Sequence, residues 1–304
     1  MTAGEFPYES PQAFRRTLAD RLRQIARTDG RFTLDELLRQ FAYDRALARL
    51  FSSQDADKWV LKGAGALLAR VRVSRHSKDV DMFYDVIEAD ADEAVDALRE
   101  ALNIDLRDFF DFRITRVSPL QEEAKGHRVH LTASLGPAAF ASFHIDVVVG
   151  TSMSAAPDSA PPLVPIMIEG LVRPQYRVFP VADHLADKFC TTFGAYTPTG
   201  SREPSSRVKD LVDIGIIATT QTVDAAALRI AVVTNAALRS VVLPAEFSVP
   251  DPASWASRYP TVAADAPGDV PDYAEATRLA GLLFRAVPDP TMTGSWDPAE
   301  GQWA

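Results

Sequence analysis

The sequence predicts an α/β (α+β) protein: a mixed β-sheet covered by helices, with a helical segment before it and a mainly helical part after it. Three observations predict this. Residues 10–52 carry apolar positions spaced by three and four, as one buried helix face requires. Residues 57–149 interleave apolar, strand-like runs with one helical pattern. Residues 180–287 return to helical patterns broken by loops.

In chain order, residues 1–9 read as a loose arm. Ser10 and Pro11 then open an amphipathic helix with Phe14, Leu18, Leu22 and Ile25 on one face, which stops near Asp29-Gly30. Thr33-Leu34-Asp35-Glu36 resembles a capping box and starts a second helix with Leu37, Leu38, Phe41, Leu47 and Leu50 inward. Its basic residues, Arg39, Arg45 and Arg49, are too sparse for a strong DNA-reading helix, so residues 10–52 are expected to pack on a catalytic core. Strands are expected at residues 109–117, 128–135 and 140–149, after a helix at residues 88–102 with acidic first turns. Residues 151–165 hold four prolines and read as a loop or linker, and residues 166–181 as two short extended pieces. Helices follow from Pro180 and from Ser206. Residues 224–238 read as an alanine-rich helix buried in a bundle, residues 244–271 as an irregular wrap and residues 272–287 as a last helix.

The chemistry concentrates in residues 57–86. Lys62-Gly63-Ala64-Gly65 follows the apolar run Trp59-Val60-Leu61, as a strand entering a helix through a glycine turn whose amides can face an anion. In Asp79-Val80-Asp81 a strand places both carboxylates on one face. Two like charges there call for a cation, and oxygen ligands at that spacing suit Mg²⁺, with Mn²⁺ as the variant. Asp146, in the apolar run after His144, supplies a third carboxylate. An Asp-x-Asp arises by chance in a chain with 41 acidic residues, but a solvated one has no need of Met82-Phe83-Tyr84 behind it. Later, Lys188 lies one turn after His184, and Arg207, Asp210 and Asp213 form a charged helix face, whose bland reading is ordinary surface pairing.

Composition bounds the rest. Apolar content of 47% and charged content of 24% are those of a soluble globular chain. Cys190 is the one cysteine, which excludes an internal disulfide framework and suits a reducing cytoplasm. No signal peptide or membrane-length apolar run is expected. A net charge of −9 argues against a general nucleic-acid coat protein, though not against an enzyme that holds one RNA locally.

Taken together, Lys62-Gly63, Ser77-Lys78-Asp79-Val80-Asp81, His144-Ile145-Asp146, Lys188 and residues 207–213 resemble the AbiE-type (AbiEii/AbiGii) toxins of type IV toxin–antitoxin systems. These belong to the DNA-polymerase-β-like nucleotidyltransferases and include the tRNA-modifying toxins of mycobacteria. The resemblance spans about residues 15–217. It implies a minimal nucleotidyltransferase core within residues 1–165 and a mainly helical domain at 166–304 that completes the active-site cleft. It implies that Asp79, Asp81 and Asp146 hold Mg²⁺ or Mn²⁺, and that Lys62, Gly63, Ala64, Gly65, Ser77, Lys78, Lys188 and Lys209 bind the nucleoside triphosphate. Lys188 and Asp210 join the three aspartates as catalytic residues. Where many superfamily members have a Ser or Thr after the first glycine, this chain has Ala64-Gly65, leaving Ser74 or Ser77 to supply the hydroxyl. Ser77 is also a candidate control point for modification.

The implied reaction moves a nucleotide, a pyrimidine in some relatives, to the 3′ acceptor end of tRNA and blocks aminoacylation, under restraint by a cognate antitoxin. Arg70, Arg72, Arg75, Arg113 and Arg128 are candidates for RNA phosphates. A monomeric cytoplasmic enzyme is expected. The alternatives are nucleotidylation of a protein side chain, which the net charge favours, and a non-catalytic nucleic-acid-binding regulator built on residues 10–52.

Overall fold

The structure is a computed structural model that describes residues 6–71, 79–120, 125–194, 205–266 and 268–304. The described residues fall into two compact units: those within Met1–Arg70, His76–Thr151 and Asp158–Val178, and those within Val71–Arg75, Ser152–Pro157 and Phe179–Ala304. Residues 166–178, expected on the C-terminal side, therefore belong to the first unit.

That unit opens with α1 (Pro11–Asp29). The Ser10 hydroxyl accepts from the Ala13 amide at 3.3 Å, Pro11 sits in the first turn, and Gly30 at φ 66° ends the helix by donating to the Ala26 carbonyl. Helix α2 (Leu34–Leu50) begins with the capping box of Thr33 and Glu36. From Gln40 onward every α2 residue is buried, so α2 lies inside the unit and has no free face for a DNA groove.

The remaining elements of the unit are β1 (Trp59–Lys62), α3 (Gly63–Arg70), β2 (Val80–Tyr84), α4 (Ala91–Leu102), β3 (Phe110–Pro119), β4 (Gly126–Leu135), β5 (Ala138–Val148), β6 (Asp158–Ala160) and β7 (Tyr176–Val178). The strands form one mixed sheet in the order β3-β4-β5-β2-β1-β7-β6, parallel at β2/β5 and β1/β7 and antiparallel elsewhere. Alternation sorts its faces. Val129, Leu131, Ala133, Phe143, Ile145 and Val147 are buried on the side where α2 and α4 pack, whereas Arg128, His130, Thr132, Ser142 and His144 keep some exposure. Strand β6, inside the stretch expected to be linker, pairs with β7 at the sheet edge, and β7 pairs with β1. Those backbone pairings explain why the unit extends to Val178.

Beneath the sheet, two of the three arginines of α2 meet one carboxylate. Arg45 Nε donates to Asp108 at 2.6 Å, and Arg49 Nη2 donates to Asp108 at 2.9 Å and to the Phe110 carbonyl at 2.6 Å, with all three side chains about 1% exposed. Burial alone would raise the Asp108 pKa, but the two guanidiniums offset it and hold the carboxyl below its ordinary value. A depressed folded pKa gives stability that is present above the unfolded value of about 3.9 and lost as pH falls through the folded one. Asp108→Asn is expected to destabilise the protein by roughly 3 kcal/mol at pH 6, the scale for breaking a buried pair. In urea titrations that gap from wild type should shrink as the pH drops below about 4, where Asp108 takes up its proton first in the unfolded chain and only at lower pH in the folded one.

The second unit contains α5 (Val181–Phe193), α6 (Val208–Thr220), β8 (Val223–Asp224), α7 (Ala225–Leu238), α8 (Pro252–Ala263), α9 (Tyr273–Phe284), β9 (Ser295–Asp297) and β10 (Gln302–Trp303). Helix α5 packs on α6 and α7, and α6 packs on α8 and α9. Within the stretch read as an irregular wrap, Asp251 caps α8 and Pro252 occupies its first turn, which places Trp255 and Tyr259 one turn apart in the core. Helix α7 is buried on one face only, since Ile230, Val233 and Leu238 are at least half exposed. Near the C-terminus, β9 lies between β8 and β10, and the Trp296 indole donates to the Ala218 carbonyl at 2.7 Å. Among the described residues no helix is long and apolar enough to cross a membrane.

Candidate active site

The site begins where β1 turns into α3. Gly63 has φ +57°, and a Cβ built on it would lie 1.9 Å from Asp81 Oδ2, so the glycine is the space in which the Asp81 carboxylate sits. Register then carries the row outward. Lys62 stands opposite Asp81, Asp81 beside Asp146, and Asp146 opposite Arg128, across β1, β2, β5 and β4. Neighbouring strands are about 4.8 Å apart, which explains how residues remote in sequence become lateral neighbours.

One step along the strands, Val80 pairs with Ile145 and turns inward, which brings Asp79 level with His144. Asp79 Oδ2 is 3.7 Å from His144 Nε2, and Asp79, His144 and Asp146 each offer a ligand atom within 4.8 Å of the others. Nε2 of His144 is buried and has no hydrogen-bond partner among the described residues. Two carboxylates converging on an unsatisfied imidazole nitrogen fit a divalent cation, since an orphaned buried polar atom of this kind is otherwise costly. Asp81 adjoins the group through its register with Asp146.

Arg128, one of the candidates for RNA phosphates, is paired with Asp146. Its Nε and Nη2 donate to Asp146 at 2.8 and 2.7 Å, one to each oxygen, and the hydrogen bond to Asp146 raises the guanidinium pKa. A half-exposed pair of this kind is worth up to about 1 kcal/mol. Arg128→Gln should therefore tighten Mn²⁺ binding by up to roughly fivefold, read by titration against the free-ion electron paramagnetic resonance signal. Unchanged or weaker binding would show that Arg128 does not compete for Asp146. Similarly, Arg70 pairs with Asp158 at 2.7 Å. Arg113 is exposed on β3, and Arg72 and Arg75 lie outside the described residues, as do Ser74, Ser77 and Lys78.

The other expected residues lie in the second unit. Lys188 Nζ sits 2.8 Å from Asp210 and 2.7 Å from Asp213, and both carboxylates are fully buried. Thr191 Oγ1 donates to Asp210 at 2.7 Å and Arg207 Nε at 3.0 Å. Burial pushes the Asp210 pKa up, yet the Lys188 and Arg207 charges prevail and hold it down. The charged helix face, whose bland reading is ordinary surface pairing, thus gathers Lys188 and the partly exposed Arg207 around two fully buried carboxylates, with Lys209 exposed on α6. Cys190 is buried and its thiol is pushed up to about 12 by burial, as suits a core residue.

Sequence reading brought together Gly63, Asp79, Asp81 and Asp146, and Lys188 with Asp210. It assigned no role to His144, although its period-two spacing from Asp146 was the available signal.

A mixed sheet that presents a glycine turn against convergent carboxylates is the working surface of a nucleotidyltransferase, and sequence comparison agrees. The profile of a family described as "Nucleotidyl transferase AbiEii toxin, Type IV TA system" matches residues 45–280, most of the chain. The protein belongs to this AbiEii family and is a nucleotidyltransferase toxin, and membership brings a cognate antitoxin. Similar solved structures include JHP933 from Helicobacter pylori, at 14% identity and TM-score 0.45 over 84% of this chain and 93% of that one. A candidate nucleotidyltransferase from the same organism is 14% identical at TM-score 0.44, over 84% of this chain and 96% of that chain. No curated protein matches.

Proposed function

We propose that this toxin transfers a nucleoside monophosphate, from a pyrimidine nucleoside triphosphate, to the 3′ acceptor end of tRNA, which blocks aminoacylation. The observation that carries the reading is the row Asp81, Asp146 and Arg128 beside the Gly63 turn. Asp79, Asp81 and Asp146 would hold Mg²⁺ or Mn²⁺, which when bound supplies positive charge against the triphosphate and acidifies a nearby hydroxyl.

The protein's own groups do the rest. Backbone amides at the start of α3, residues 63–65, donate to triphosphate oxygens, and the helix dipole reinforces them. Lys62, in register with Asp81, adds positive charge at the same end of the sheet. Asp146 accepts the hydrogen bond of the attacking 3′-hydroxyl and orients its oxygen. The new bond joins that oxygen to the α-phosphorus, the bond from the α-phosphorus to the bridging oxygen breaks, pyrophosphate leaves and the hydroxyl proton passes through Asp146 to solvent.

A polyanionic acceptor is favoured by the partly exposed sheet face beside this row. There Arg116 is in register with His130 and Arg113 with Thr132, so exposed arginines stand on the strand two over from Asp146, level with His144 and Ser142 of β5.

The test is incubation of the purified protein with total tRNA, a divalent cation and each α-labelled nucleoside triphosphate in turn, beside Asp81→Asn. Label on tRNA from one pyrimidine nucleotide, lost by at least about a thousandfold in the variant, is expected. Unchanged transfer by Asp81→Asn would overturn the metal role, and label confined to protein would move the acceptor to a side chain.

A further inference from the structure

The proposed cation site contains a nitrogen donor that an all-carboxylate reading leaves without a task. His144 and Asp146 alternate on β5 and so face the same side, and the parallel register with β2 brings Asp79 beside His144. The three residues converge to within 4.8 Å, and the Asp79 Oδ2 to His144 Nε2 separation of 3.7 Å is too long for a hydrogen bond yet short enough for two ligands of one ion. Nε2 is buried and unpartnered among the described residues, whereas His130, the cross-strand neighbour with its ring centroid 5.7 Å away, is absent from the converging group.

We propose, building on the metal site assigned above, that His144 is a metal ligand through Nε2 and that the resulting nitrogen and oxygen donor set makes this centre prefer Mn²⁺ over Mg²⁺. Mg²⁺ is a hard cation that takes oxygen almost exclusively and gives up water reluctantly. Imidazole nitrogen suits the first-row transition ions, and carboxylates accept Mn²⁺ as readily as Mg²⁺. One imidazole among carboxylates therefore shifts preference without excluding Mg²⁺. The consequence for the reaction is that the metal content of the cell, as well as the triphosphate supply, sets how active the toxin is.

The experiment uses the full chain with Mn²⁺ alone as the probe. Bound Mn²⁺ in the wild-type protein is expected to show ¹⁴N modulation in electron spin-echo spectra. His144→Gln should lose that modulation and bind Mn²⁺ at least about tenfold more weakly, the scale on which even outer-shell partners act. Mg²⁺ binding, measured by competition, should change much less. His130→Gln should keep the modulation. If His144→Gln fails to fold, wild-type protein with ¹⁵N-labelled histidine replaces it, and the ¹⁴N pattern should convert to ¹⁵N. Bound Mn²⁺ without nitrogen modulation, modulation that survives in His144→Gln, or equal losses for both metals would overturn the assignment. Failure of the wild type to bind Mn²⁺, or undiminished binding in Asp79→Asn, would instead remove the underlying metal site and His144 with it.

Discussion

Gly63→Ala is expected to reduce nucleotidyl transfer at least about a hundredfold while the protein stays folded. A methyl at residue 63 would meet Asp81 Oδ2 at 1.9 Å and Asp81 Cγ at 2.8 Å, so one of them must move, and the φ of +57° is itself strained for any residue with a Cβ. The backbone strain is worth about 1–3 kcal/mol, which lowers the melting temperature by only a few degrees in a chain of this size. Displacing a carboxylate by about 1 Å is a far larger matter for a reaction that depends on alignment. Melting curves and single-turnover transfer on the same preparation separate the two effects. Transfer at the wild-type rate would show that Asp81 need not sit against the glycine turn.

Lys188→Met should destabilise the second unit by about 3–5 kcal/mol in urea titrations. It removes the cation shared by Asp210 and Asp213, both with no exposed side-chain surface, while Arg207 keeps its pair with Asp210. Neutralising the carboxylates as well, in Lys188→Met with Asp210→Asn and Asp213→Asn, should recover most of the loss, because the cost is that of stranded buried charge. Activity that returns together with stability would make Lys188 and Asp210 structural supports. Activity that stays absent in the restabilised triple variant would give the pair a part in the chemistry, as the family resemblance implies. A stability loss under about 1 kcal/mol in the single variant would contradict the buried network itself.

The local features were legible because they rest on interactions between close neighbours in the chain. Ser10, Pro11 and Gly30 bracket α1 through bonds spanning three or four residues, and Thr33 with Glu36 does the same for α2. The glycine turn after a short apolar strand and the period-two carboxylates at 79 and 81 are also local. What escaped were partnerships between distant residues. Arg45 and Arg49 read only as too sparse to read DNA, because nothing near them in sequence shows that Asp108 lies beneath. Residues 158–160 read as proline-rich linker, because a three-residue strand is made by its neighbour's hydrogen bonds and leaves no periodicity of its own. Helix α7 read as buried in a bundle, yet its composition could not say that Ile230, Val233 and Leu238 would stay at least half exposed.

The sequence by itself determined the class of fold and the turn at Gly63, put forward the three aspartates as candidates, and carried the resemblance to the AbiEii toxins. Only the tertiary structure decided that Asp81 fills the space beside Gly63, that Arg128 grips Asp146, that His144 joins Asp79 and Asp146, and that Lys188 is shared by two buried carboxylates. The reason is physical. Periodicity states which way a side chain points along its own strand or helix, whereas its partner is chosen by strand order, register and helix packing, which bring together residues that the chain keeps far apart.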